Sequence, residues 1–338
     1  MLRKYFGKRT TGYMLAVLMI LGAVGCSNKD SQQPAETEET PLETEFETEE
    51  PPLEMTFENK KPLEYENGNA LSLWDTPEEI PWFDESISEK NRPSITPYIA
   101  ENNESGGCVI ICPGGGYASL ADEKEGSVPA EALNEQGISA FVLRYRTTPY
   151  NYQAMLSDIC RAVRFVRYYA EEFGIEPDKV ALMGFSAGGH LVSMNLEHAG
   201  EDDSNTDDID KLNGRASYGI LCYPVISLIE PYAHEMSAEN FLGTENADDQ
   251  TMAEKYSAQL GVTENMPPCF VWHCKTDTFV DYENSQMFAD AMEEAGVECE
   301  LHLYEDGEHG LGIAAKDDAG EARQWFGQCI GWLQKHGF

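Results

Sequence analysis

Between about residue 93 and the C-terminus, short apolar runs alternate with stretches whose apolar residues recur every three or four positions. Nearly continuous apolar runs of four to six residues mark strands buried on both faces, and the three-to-four spacing marks one face of a helix. The strands expected on this basis are 108–112, 140–145, 180–183, 218–223, 269–273 and 299–304. The clearest helix spans 152–173, where Met155, Ile159, Ala162, Val163, Val166 and Tyr169 share a face, and further helices are expected over 285–295 and 319–334. The segment before 108, with residues 94–99, adds an extra strand or two at one edge, while 61–90 show no regular period. The stretch 231–267 interrupts the rhythm with polar and helical pieces, and is read as an insertion over one end of the sheet. A βα alternation of this length is the pattern of a largely parallel sheet with helices on both faces.

The first 60 residues follow a different logic. Arg3, Lys4, Lys8 and Arg9 precede an apolar run over 14–24, and Ala23-Val24-Gly25-Cys26 closes the segment. The run has eleven residues, short of the roughly 20 that a membrane-spanning helix needs, so 1–26 reads as a cleaved export signal. Its end resembles a bacterial lipobox, with Ala23 where leucine is usual, and that resemblance implies lipid attachment at Cys26 and a place on the bacterial cell surface. A plain signal peptide and secretion is the alternative. Residues 27–60 carry eleven acidic side chains against Lys29 and Lys60 and few apolar positions. Such a Thr/Glu/Pro-rich run cannot form a core and reads as a disordered linker. The folded domain is then 61–338.

Charge narrows the partners. With 23 basic and 60 acidic residues the formal net charge is −37, of which −32 falls on residues 61–338. A surface of that sign repels phosphate backbones and anionic headgroups, which excludes nucleic acid and leaves the lipid anchor as the membrane contact. Eight cysteines follow Cys26. Cys108, Cys112, Cys222, Cys269 and Cys274 lie in or beside apolar strands, where a thiol acts as a small core residue, so free buried thiols are expected over disulfides. Neither paired CxxC nor HExxH occurs, and no metal site is expected.

The chemistry begins at Gly184-Phe185-Ser186-Ala187-Gly188, placed directly after one strand and before a helical pattern. A sharp strand-to-helix turn needs glycine beside the serine and lifts its hydroxyl above the sheet. A second glycine run, Pro113-Gly114-Gly115-Gly116-Tyr117, follows the strand at 108–112. Acyl transfer needs two N–H donors for its oxyanion, and Ala187 with Gly115 or Gly116 would supply them. The phosphate-loop alternative lacks the Lys-Ser/Thr that should follow the glycines. A serine nucleophile requires a histidine base oriented by a carboxylate. Among the histidines, His198, His234 and His336 match no motif, His273 and His302 fall inside strands, and His190 lies in the helix after Ser186. His309, in a Gly-containing loop past the last strand, is the base. Asp277 comes first after the strand at 269–273 and is preferred to Asp281, which begins the next helix as an acidic cap. The chain order Ser186, Asp277, His309 is that of the α/β-hydrolases.

With those residues in place the sequence resembles the acetyl xylan esterase and feruloyl esterase-like branch of the α/β-hydrolase superfamily over about residues 92–338. Leu143-Arg144-Tyr145-Arg146, the DICRAVRFVR segment 158–167, GFSAGGHL, Asp277 with Val280, Glu283-Asn284-Ser285 and Glu308-His309-Gly310 carry the likeness. Two positions depart from the pattern: Pro113 stands where related lipases have histidine, and Asp281 where proline is usual after Val280. The resemblance implies an α/β-hydrolase fold, a mostly parallel sheet of about eight strands with helices on both faces. It also implies a serine esterase acting on acylated plant polysaccharide or its oligosaccharides, without cofactor. The same three side chains would also serve a peptidase or a lipid or small-molecule esterase, and a catalytically inactive carbohydrate-binding lipoprotein is the reading from a different class.

Overall fold

Eight strands form one sheet: β1 (Leu71–Ser72), β2 (Ser94–Tyr98), β3 (Cys108–Cys112), β4 (Ser139–Arg144), β5 (Val180–Phe185), β6 (Tyr218–Cys222), β7 (Cys269–Cys274) and β8 (Cys299–Tyr304). Their order across the sheet is β1-β2-β4-β3-β5-β6-β7-β8. The pairs β1/β2 and β2/β4 are antiparallel and every other pair is parallel. The computed structural model describes residues 57, 60–86, 92–202, 204–315 and 317–338, which fall in one compact unit, Thr56–Phe338. The segment 1–26 with Cys26, and the linker apart from its last residues, lie outside the described residues. Phe57 and Lys60, read as linker, pack on the domain: the Phe57 ring lies 4.8 Å from that of Tyr168, and Lys60 pairs with Glu172 at 2.6 Å.

Strands β3, β5 and β7 are buried along their whole length because helices cover both faces. Helices α2 (Tyr152–Tyr168), α4 (Ala187–His198) and α7 (Glu283–Glu294) pack one face, and α1 (Val128–Glu135) and α8 (Trp325–Lys335) the other. The helix expected over 152–173 is broken at Tyr169, after which the short α3 (Ala170–Phe173) ends on a left-handed Gly174. That expected over 319–334 begins only at Trp325. The preceding Asp317–Gln324 segment turns at Gly320, whose φ of 57° an α-helix cannot contain. The described part of 61–90, residues 61–86, supplies β1 and a 3-10 turn and buries Leu73, Trp74 and Ile80 without a repeating pattern. Within 231–267 lie α5 (Glu235–Leu242) and α6 (Gln250–Lys255).

The arginine-rich segment of α2 is structural. Arg161 pairs with Asp210 at 2.8 Å and with Asp207, Arg164 pairs with Asp202, and Asp158 takes a two-pronged contact from Arg146 with both side chains fully buried. Burial pushes the Asp158 carboxyl up and the Arg146 charge partly offsets that. All eight cysteines after Cys26 are free thiols, seven of them buried. Burial lifts Cys160 and Cys299 to about 12, so neither is a ready thiolate. Among the described residues no helix is long and apolar enough to cross a membrane.

The strand order reverses between β3 and β5, the place where open α/β sheets leave a crevice at the carboxyl ends of their strands. Cys112 stands opposite Gly184 in the register, so the loop after β3 and the turn after β5 emerge side by side.

Candidate active site

Ser186 occupies the turn between β5 and α4 with φ 54° and ψ −119°, a conformation that side chains other than glycine rarely hold. The surrounding backbone enforces it. Ser186 N–H donates to the Cys222 carbonyl (2.9 Å), and the Ser186 carbonyl accepts from Gly189 (3.0 Å), His190 (3.2 Å) and Val225 (3.1 Å). Both flanking glycines are sterically required: a Cβ on Gly184 would lie 2.1 Å from the Gly188 carbonyl oxygen, and one on Gly188 would lie 2.1 Å from that of Cys112. The pattern around the serine thus follows from packing the turn against β3.

His309 reaches this hydroxyl from the loop after β8. Its Nε2 lies 2.8 Å from Ser186 Oγ and its Nδ1 lies 2.6 Å from Asp277 Oδ2. An ionised carboxylate only accepts, so Nδ1 carries the proton and Nε2 accepts from the serine hydroxyl. The Asp277 and His309 loops are tied to each other, since Thr276 Oγ1 donates to the Gly307 carbonyl (3.0 Å) and accepts from the Gly307 N–H (2.9 Å). Asp277 Oδ1 accepts from the N–H groups of Phe279 (2.8 Å) and Val280 (3.1 Å). Burial acts to raise this carboxyl's pKa, but hydrogen bonds from His273, His309 and Val280 outweigh it and hold the group well below the usual carboxylate range. Asp281 instead accepts from Glu283 N–H (3.0 Å) at the head of α7.

The loop after β3 lies against Ser186, where a Cβ on Gly114 would come within 3.0 Å of the serine Cβ. Gly115 and Gly116 both have positive φ, and a side chain on Gly116 would run into Met236 at 2.4 Å. The N–H groups of Gly115, Gly116 and Ala187 have no acceptor among the described residues. The insertion reaches this loop as well, through a hydrogen bond from Asn240 Nδ2 to the Gly116 carbonyl (2.8 Å).

Several residues here escape sequence reasoning. His273, read as a strand residue, is fully buried beneath Asp277, with Nε2 donating to Asp277 Oδ2 (3.2 Å) and the Val280 carbonyl (3.0 Å) while Nδ1 accepts from Ser285 (2.8 Å). Its position four residues before Asp277 was the available signal. His190, one turn along α4, donates from Nε2 to the Tyr256 carbonyl (2.8 Å) and accepts from Tyr117 (2.7 Å), a packing role. Glu125 is buried beside Gly114 and accepts its N–H at 2.9 Å. Among the described residues no group of three or more His, Cys, Asp or Glu side chains is disposed to hold a metal ion.

The BD-FAE family model matches residues 97–292, a span that contains Ser186 and Asp277 and ends before His309. The chain is similar to the endo-1,4-beta-xylanase B of Butyrivibrio fibrisolvens, 33% identical over 264 residues, covering 74% of this chain and 41% of that protein. It is also similar to the acetylxylan esterase of Xylanibacter ruminicola, 34% identical over 230 residues, covering 68% of this chain and 45% of that one. The chain therefore spans less than half the length of either relative. Among solved structures, an acetyl ester-xyloside bifunctional hydrolase from Caldicellulosiruptor lactoaceticus superposes with a TM-score of 0.74 at 38% identity, over 80% of this chain and 97% of that one.

Proposed function

The chain belongs to the BD-FAE family, and on that footing we propose that it is a serine carboxylic-ester hydrolase that removes acetyl groups from xylan or its oligosaccharides. The observation that carries the reading is the continuous relay from Asp277 through His309 to the Ser186 hydroxyl, at 2.6 and 2.8 Å. The substrate class is supported by the acetylxylan esterase relative and the acetyl ester-xyloside hydrolase neighbour.

In this mechanism Ser186 Oγ attacks the ester carbonyl while His309 Nε2 takes its proton, and the Asp277 carboxylate stabilises the imidazolium that forms. The negative charge on the former carbonyl oxygen is held by the N–H of Ala187 and that of Gly115 or Gly116. Collapse expels the sugar oxygen, which takes the proton back from His309 and leaves an acyl-serine. Water then attacks the acyl group as His309 again accepts a proton; collapse breaks the bond to Ser186 Oγ, which takes that proton back from His309, and acetate leaves. The sequence needs no cofactor. Cys26 carries a lipid anchor in this proposal, and the acidic run between it and Phe57 holds the domain away from the membrane; the sequence pattern of the N-terminus supports both.

The test is acetate release from acetylated xylan, together with fluorophosphonate labelling of the purified full-length protein. Ser186→Ala is expected to lose label and to lower kcat by about 10⁶, and Asp277→Asn to lower it by about 10⁴, the magnitudes seen in other serine hydrolases. Retention of most acetate release by Ser186→Ala would refute the assignment.

A further inference from the structure

Glu125 belongs to a charged run, Asp122 to Glu125. Its neighbours Glu123 and Lys124 are exposed, yet Glu125 itself is buried. The cause is a π-helical turn over Glu123–Ser127, in which the Ser127 N–H reaches back five residues to the Asp122 carbonyl (2.9 Å) and Glu125 is rolled inward ahead of α1. Gly126 fits because Val142 would lie 3.1 Å from any Cβ there.

The carboxylate then spans two functional loops. Oε2 accepts from the N–H of Gly114, the residue before Gly115 and Gly116 (2.9 Å). Oε1 accepts from the Tyr223 hydroxyl (2.7 Å), and the Tyr223 hydroxyl oxygen in turn accepts from the N–H of Gly312, three residues beyond His309 (2.9 Å). The Tyr223 ring packs edge-on to the His309 ring with centroids 5.0 Å apart. One buried side chain thus connects the loop that offers oxyanion donors with the loop that carries the base, over 98 residues of sequence between Glu125 and Tyr223.

We propose that Glu125 is a positioning residue that sets the glycine loop and the His309 loop at a fixed distance from each other across Ser186. This rests on the serine-esterase reading above. The carboxylate touches no reacting atom; it acts by presenting acceptors to Gly114 and, through Tyr223, to Gly312. Glutamine at this site keeps one acceptor and turns an NH₂ toward a donor, whereas alanine leaves both donors unpaired.

The experiment measures kcat and KM on a soluble acetyl ester, with kcat expressed per serine titrated by fluorophosphonate so that unfolded protein does not count. Glu125→Gln is expected to lower kcat about tenfold and Glu125→Ala about 10²- to 10³-fold, the loss typical of one oxyanion donor, with KM within about threefold. Tyr223→Phe, which cuts only the His309 branch, is expected to cost about tenfold. Combined with Glu125→Ala it should add nothing, because both act through one connection. Glu125 variants within about twofold of the parent kcat, or a change confined to KM, would overturn the positioning role; Glu125→Gln alone decides the matter if Glu125→Ala does not fold. Ser186→Ala, which has no serine to titrate and is measured per folded protein, separates the two levels: inactivity there with parent-like Glu125 variants removes the positioning role alone, and activity there removes the serine reading beneath it.

Discussion

Acid should destabilise this domain through His190. The ring is fully buried, with edge contacts to Tyr117 and to Phe241 at 4.8 Å, and its hydrogen bonds join α4 behind Ser186 to the glycine loop through Tyr117 and to the insertion through Tyr256. Burial pushes its pKa down to about 4; the Tyr256 carbonyl opposes that shift and the neighbouring His198 adds to it. The imidazole is near 6.5 in the unfolded chain, so the unfolded state binds the proton more tightly. The stability that follows is present in full above about pH 6.5 and is lost as pH falls from there toward about 4. At about 1.36 kcal/mol per pH unit the whole gap amounts to about 3.4 kcal/mol, and about 2 kcal/mol of it is gone by about pH 5. Against a typical stability of about 5–15 kcal/mol this is a large fraction. The assay compares urea denaturation of the parent and His190→Gln at about pH 7.5 and about pH 5. Glutamine offers an uncharged donor to Tyr256 and an acceptor to Tyr117. Glu197, raised well above the carboxylate range by burial, acts in the opposite sense in both proteins and cancels in the comparison. The parent should lose about 2 kcal/mol more than the variant over this interval. Equal losses, to within about 0.5 kcal/mol, would refute the argument.

Two further outcomes test the site's packing and its substrate face. Gly188→Ala should abolish fluorophosphonate labelling and lower the melting temperature, because the new methyl group meets the Cys112 and Pro113 carbonyl oxygens at 2.1 and 2.8 Å and neither backbone can retreat from β3; a labelled, stable variant would show the turn to be adaptable. Phe279 is 71% exposed with its ring 5.9 Å from that of His309. Phe279→Ala should leave stability within about 0.5 kcal/mol while raising KM about fivefold for acetylated xylo-oligosaccharide and not for ethyl acetate, as expected for loss of roughly 1 kcal/mol of ring contact. Equal changes on both esters would place the sugar elsewhere.

Strand β3 was legible because burial on both faces forces a near-continuous apolar run, and the half-buried edge strand β8 because Cys299, Leu301 and Leu303 alternate with polar residues; the expected bounds 108–112 and 299–304 coincide with these strands, and the others differ by a residue or two at their ends. Helix ends were less legible, since Tyr169 and Gly320 break the backbone without interrupting the apolar periodicity. Residues 61–90 gave no signal because they bury Leu73 and Trp74 from a nearly irregular chain, and Trp74 gains from the Arg161 guanidinium 5.2 Å above its ring, a contact across 87 positions that no local pattern carries. The arginines of 158–167 were visible as a motif, but the burial of Arg161 and Arg164 against Asp202, Asp207 and Asp210 could be read only from the fold.

The same division runs through the site. Ser186 announces itself because its backbone conformation excludes a Cβ at Gly184 and Gly188, and that constraint lies within five residues. His309 and Asp277 were found because each stands on a loop just past a strand, and such loops meet at the carboxyl edge of a parallel sheet. Glu125, His273 and Tyr223 need no special backbone neighbours of that kind. Glu125 and Tyr223 need burial and a well-placed donor, and those come from Gly114 and Gly312 on other strands' loops, whereas His273 meets Asp277 only four residues further along the loop of its own strand. A donor supplied from a distant segment leaves no periodicity and no spacing, so a single sequence shows the groups that react more readily than groups held by such contacts.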